Sequence, residues 1–191
     1  NKSLIALALA QMSMASNAID IQVNGSCSLA DAITSANDSV ATGGCLAGVG
    51  GVNTISLQAN STITLTSVDP DGEFAGDGGL PLVKSDITIQ GNGATIERSL
   101  APETPSFRIF GTTENTNITL TMNSLTLRNG LSDVGAALLV NSGNSLVLND
   151  ATVSNNTSVL TGGAIYFYSA AGSLDIDNSQ ITGNSVGVGG G

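Results

Sequence analysis

The sequence predicts an all-β chain, a right-handed parallel β-helix (β-solenoid) with a short N-terminal capping α-helix. Three observations predict it: two-segment repeats, period-two alternation inside each segment, and a composition unable to fill a spherical core. Only 3% of the 191 residues are aromatic, Trp and His are absent, and Gly numbers 24, although 41% of the chain is hydrophobic. A narrow interior of Ile, Leu, Val and Ala suits that composition better than a rounded one.

The repeats set the organisation. Residues 120–129 (LTMNSLTLRN) align with 146–155 (LVLNDATVSN) at 146 − 120 = 26, and with 174–183 (LDIDNSQITG) at 174 − 146 = 28. A second segment obeys the same spacing, since Ala136, Ala137, Leu138 and Leu139 fall on Gly162, Gly163, Ala164 and Ile165. Weaker copies precede these: Ile87 to Ile96 with Phe107 to Phe110, and Thr54 to Leu57 with Thr62 to Thr66. Their irregular spacing implies loops inserted between strands. Ile63 and Leu65 alternate with Thr62, Thr64 and Thr66, the pattern of a short strand with one buried face. Units this short cannot bury an apolar face alone, so they must stack on neighbours. An antiparallel sandwich gives no reason for alignment at 26 and 28. Asn123, Asn129, Asn149 and Asn155 fall at turn positions, where Asn tolerates the left-handed conformation and can stack in amide ladders.

Near the N-terminus the pattern changes. Ser28 followed by Asp31 reads as a capping box, and Leu29, Ala32, Ile33 and Ala36 make a helical apolar stripe ending at Asn37. Such a helix would cover the exposed end of a strand stack. Residues 1–18 place one Lys, an apolar run and then Ser16, Asn17 and Ala18 in signal-peptide order; a retained amphipathic cap or anchor is the alternative. The predicted organisation is therefore 1–18 signal peptide, 19–52 cap with helix and disulfide loop, and 53–191 β-helix coils. Cys27 and Cys45, 18 positions apart, read as a disulfide in an exported chain, against two small buried thiols otherwise. Gly187 to Gly191 stand in mid-repeat, which predicts coils continuing beyond 191 or self-association through an open coil end.

At this point a resemblance enters. Cys27, Ser28, Leu29, Ala30, Asp31, Ala32 and Ile33, followed by Ala36 and Asn37, resemble the Cys-Ser-Leu-Arg-Glu-Ala motif that opens many exported bacterial β-helix proteins of the pectate-lyase-like superfamily. Ala30 stands where that motif usually has Arg. Val153 to Asn156, Gly162 to Ile165 and Ile181 to Asn184 are similar to repeats of polymorphic outer-membrane autotransporter passengers, with Val or Ile replacing Phe. The resemblance implies a parallel β-helix and export, and is silent on activity.

Charge narrows the partners. Five basic residues against 15 acidic give −10, or 4 − 15 = −11 once Lys2 is removed, which repels nucleic acid and anionic lipid. No segment is apolar for long enough to span a membrane. Extracellular glycans, other surface proteins or further copies of the chain are the expected partners.

Chemistry is sparse. A lyase or hydrolase on such a scaffold needs a base beside the uronate, bound calcium or paired carboxylates. Beyond residue 18 the basic residues are Lys84, Arg98, Arg108 and Arg128, for which surface or structural roles are expected. The densest acidic stretch, Asp69, Asp71, Glu73 and Asp77 among glycines, offers oxygen ligands to calcium; the alternative is a solvated turn. The leading expectation is a secreted or surface structural and adhesive scaffold, the alternative a carbohydrate-active enzyme or its binding module. A groove combining Arg98, Arg108 or Arg128 with a carboxylate cluster would favour the alternative.

Overall fold

The structure is a computed structural model and describes residues 18–72 and 76–187. The signal-peptide reading therefore lies outside the described residues except for Ala18, as does Glu73 of the proposed calcium set.

In chain order the elements are β1 (Asp20–Gln22), α1 (Leu29–Asp38), β2 (Asn53–Ser56), β3 (Thr62–Leu65), β4 (Ile87–Arg98), β5 (Phe110–Gly111), β6 (Thr119–Arg128), β7 (Leu131–Val134) and β8 (Leu138–Val140). There follow β9 (Ser145–Asn149), β10 (Thr152–Ser154), β11 (Thr157–Thr161), β12 (Ile165–Phe167), β13 (Leu174–Asp177), β14 (Gln180–Thr182) and β15 (Ser185–Val186).

The expectation of a right-handed parallel β-helix is corrected. The strands pair in parallel, but in open, flat sheets rather than a clear solenoid. One sheet has nine strands, ordered β1-β2-β4-β6-β10-β14 with β3, β9 and β13 alongside; two others have three each, β15-β11-β7 and β12-β8-β5. The reason lies in β4 and β6. These run for 12 and 10 residues, through the bend that would divide two faces, so each joins both limbs of its first segment in one sheet, while the second segment stands apart in the sheet of β8 and β12. The small sheets extend only as far as β5 and β7, where earlier chain contributes isolated bridges such as Gly78 to Arg108 and Val83 to Thr112.

Register follows the repeat spacing. Leu120 pairs with Leu146 and Leu146 with Leu174, while Leu127 pairs with Val153 and Val153 with Ile181. Earlier ranks are wider: Thr88 pairs with Thr121, at 121 − 88 = 33, and the extra residues form loops at 66–86 and 99–109. Turn chemistry repeats with the strands. Ser124, Asp150 and Asn178 adopt positive φ in one column, and Asn129, Asn155 and Gly183 in another. A side chain at Gly183 would stand 2.7 Å from the Asn155 Oδ1, so this position combines a left-handed turn with close approach.

Amide ladders tie the ranks together. Asn149 Nδ2 donates to Asn123 Oδ1 at 2.9 Å and Asn123 Nδ2 to Gln90 Oε1 at 3.3 Å. Inside, Asn156 Nδ2 donates to Asn184 Oδ1 at 2.9 Å, while Asn156 Oδ1 accepts from the Gly130 N–H at 2.9 Å. Inward aliphatics such as Ile55, Ile89, Met122 and Leu148 form one buried cluster with the apolar face of α1.

That helix begins as its sequence dictates. Ser28 Oγ accepts from the Asp31 N–H at 3.1 Å and its hydroxyl donates to the Asp31 carboxylate at 2.6 Å. Leu29, Ala32, Ile33, Ser35 and Ala36 are buried. Hydrogen bonds dock the helix: among them, Asn37 Nδ2 donates to the Leu82 carbonyl, the Lys84 N–H donates to Asn37 Oδ1, and the Gly48 N–H donates to the Ser35 carbonyl. A Cβ at Gly48 would lie 2.7 Å from that carbonyl, so only glycine allows this approach. Cys27 and Cys45 are joined in a disulfide with a Cα–Cα distance of 4.6 Å, closing the loop around α1. A structural disulfide indicates an oxidising, extracellular-type environment.

Candidate functional site

Outward side chains of the nine-stranded sheet stand in ranks. Because pairing is parallel and in register, equivalent positions repeat at about 4.8 Å. One row runs Thr62, Thr95, Thr126, Thr152, and the row two residues on runs Thr64, Glu97, Arg128, Ser154. Inward Ile63, Ile96, Leu127 and Val153 separate the two rows and turn both toward solvent.

The second row carries the charged centre. Glu97 Oε2 accepts from Arg128 Nε at 2.6 Å, and Glu97 Oε1 accepts from the Thr64 hydroxyl at 3.0 Å. Arg128 makes this bond through Nε and not through its terminal nitrogens, and its side chain is 44% exposed. Beside the pair lies an open groove of about 460 Å³ lined by Thr64, Glu97, Leu100, Arg128, Asn129 and Asn155. Left-handed backbone at Asn129 and Asn155, each directly after an outward residue at its strand end, sets both side chains at the groove edge.

The other two arginines are placed differently. Arg98 donates to the carbonyls of Pro105 at 2.7 Å, Thr104 at 2.7 Å and Ser99 at 3.1 Å, and lies 5.6 Å from the Phe107 ring centre. It ties down the 99–106 loop, and desolvation lowers its pKa. Arg108 is fully buried and donates from Nη1 to the Val134 carbonyl at 3.0 Å. Burial pushes its pKa down to about 10, opposed by the carboxylates of Asp133 and Asp77. A cavity of about 320 Å³ adjoins it, lined by Asp77, Ser106, Ser132, Asp133 and Val159. Arg108 thus ties its own segment to the end of β7 from the inside.

The acidic stretch forms a turn. The Asp71 N–H donates to Asp69 Oδ1 at 2.9 Å and the Gly72 N–H to the Asp69 carbonyl at 3.0 Å. Asp69 borders a cavity shared with Ser28 and Ala30, whereas Asp77 borders the one beside Arg108. Among the described residues no group of three or more His, Cys, Asp or Glu is arranged to hold a metal ion. No helix among them is long and apolar enough to cross a membrane, which says nothing of β-barrels.

No protein-family model matches the chain, and neither a curated protein nor a solved structure matches it.

Sequence reasoning singled out Arg128 but missed Glu97 and the outward threonines Thr95, Thr126 and Thr152. Their signal was present: each flanks an inward aliphatic, as Thr62 flanks Ile63. What hid Thr95 and Glu97 was their 31-residue spacing to Thr126 and Arg128, which an alignment at 26 and 28 does not bring into line; Thr126 and Thr152 do align at 26, but nothing in the alignment marked them as outward neighbours of the ion pair.

Proposed function

We propose that the chain is a secreted or cell-surface scaffold with a structural and adhesive role, whose outward polar face contacts extracellular glycans. The observation that carries this reading is the in-register row of hydroxyl, carboxylate and guanidinium groups along one open parallel sheet. Such a face offers many weak, regularly spaced contacts, which suits multivalent attachment. The disulfide and the resemblance of Cys27 to Ile33 to the opening motif of exported proteins support placement outside the cell.

Fractionation of cells producing the full-length protein, combined with protease treatment of intact cells, tests the placement. The protein is expected in the medium or in the protease-accessible surface fraction, with Cys27 and Cys45 resistant to alkylation until reduced. Retention inside the cell with two alkylatable thiols would overturn the reading.

A further inference from the structure

We propose that the groove beside the Glu97–Arg128 pair is a binding site for a neutral glycan presenting vicinal hydroxyls. This rests on the adhesive reading above and names the ligand class and the residues of that site.

Three independent features of the groove select that class. First, acceptor and donor capacity stand side by side. Glu97 has carboxylate lone pairs beyond those used by Thr64 and Arg128, and Arg128 bonds Glu97 through Nε, which leaves the N–H groups of its terminal nitrogens outside that bond. A diol whose one hydroxyl donates to the carboxylate and whose neighbour accepts from the guanidinium satisfies both. Second, the charges cancel locally while the chain as a whole carries −10. A uronate or sulfated polymer gains no unpaired cation here and meets a repulsive field. An uncharged sugar avoids both costs. Third, the groove is mixed in character: the amides of Asn129 and Asn155 stand at its edge, and exposed Leu100 offers an apolar surface to the C–H face of a sugar ring. Thr152, Thr126 and Thr95 continue the hydroxyl-bearing surface alongside it, so an extended chain finds further contacts along the stack.

The experiment is an array of immobilised neutral glucans, mannans and galactans, with polygalacturonate and heparin as polyanions. It is probed with the full chain, with Arg128→Ala and Glu97→Gln variants, and with Thr121→Ala on the sheet's other limb as a control. Circular dichroism and the unfolding midpoint of each variant confirm folding. Retention on at least one neutral polysaccharide, weakened about tenfold by Arg128→Ala and unaltered by Thr121→Ala, is the expected result; one charge-assisted hydrogen bond accounts for that factor. Retention equal in all variants would overturn the groove assignment and leave the adhesive reading standing. Binding confined to polygalacturonate or heparin would overturn the neutral class. No binding to any neutral glycan would overturn this inference, whereas the surface location is decided separately by fractionation.

Discussion

The two edges of the nine-stranded sheet are built from equivalent inward residues and meet solvent very differently. At one edge, Ile21 of β1 is 0% exposed; at the other, Leu174 and Ile176 of β13 and Ile181 of β14 are 43%, 40% and 48% exposed. All four alternate with outward polar residues, and all four pair in register with an inward neighbour, Ile21 with Ile55 and Ile176 with Leu148. The difference is therefore one of cover. Over β1 lies α1, whose Leu29, Ala32, Ile33 and Ala36 join the same cluster; no described element lies over β13 and β14. Strand stacking alone buries an apolar residue from one side only. The second side requires either another rank or a helix.

This comparison predicts its own largest test. Leu148 and Ile176 occupy one column in adjacent ranks. Leu148→Ala is expected to cost about 2–5 kcal/mol through lost burial and a residual cavity, whereas Ile176→Ala should cost under about 1 kcal/mol. Urea unfolding of both variants measures the contrast, and equal losses would show that the β13 edge is covered in solution. Next in size is the disulfide holding the helix cover. A Cys27→Ala, Cys45→Ala double variant is expected to lose about 3 kcal/mol, from loop-closure entropy restored to the unfolded chain. Reduction of the wild-type chain should lower its unfolding midpoint similarly; an unchanged midpoint with both thiols freed would mean that α1 docks without help.

How far these features were legible differs along the chain. Leu120, Leu146 and Leu174 announced parallel register, since residues at equal spacing in a repeat take equal places in neighbouring ranks. Ser28 and Asp31 announced the helix start, because capping is local chemistry. Sheet closure was not legible. Whether a chain bends between two segments depends on the backbone between them, and 119–128 carries no break: Ser124 takes positive φ within β6 and the strand runs on. The ion pair was equally hidden, since Glu97 and Arg128 lie 31 residues apart and meet only through pairing of β4 with β6. Asp77 and Arg108 illustrate the same limit, with a bridge from Gly78 to Arg108 bringing distant loops together.

Smaller effects test the helix cover more finely. Ser28→Ala removes the acceptor of the Asp31 N–H and is expected to cost about 1 kcal/mol. The same substitution at Ser179, near the uncovered edge, shows whether such a loss is particular to the cap. Its hydroxyl donates to the Asp177 carbonyl and its oxygen accepts from the Ala151 N–H at 2.9 Å, so a comparable loss there would show that hydroxyl-to-backbone bonds count equally at both edges.

The smallest expected effect is electrostatic. Asp69 faces the start of α1, and its pKa is raised, first by burial and then by the carboxylates of Asp71 and Asp31, against the lowering effect of the Asp71 N–H. Because its folded pKa lies above the ordinary value of 3.8, the native state binds its proton more readily than the unfolded state does. Stability from this group accordingly falls as pH rises through that window, and the penalty is complete at neutral pH. Asp69→Asn keeps an oxygen to accept from the Asp71 N–H and removes the charge. The variant should be slightly more stable than wild type at pH 7, with the advantage vanishing below pH 3.8, where both forms are neutral. Urea midpoints at the two pH values measure it. A variant less stable at pH 7 would mean that the ionised carboxylate's hydrogen bond to the turn outweighs its burial beside the helix.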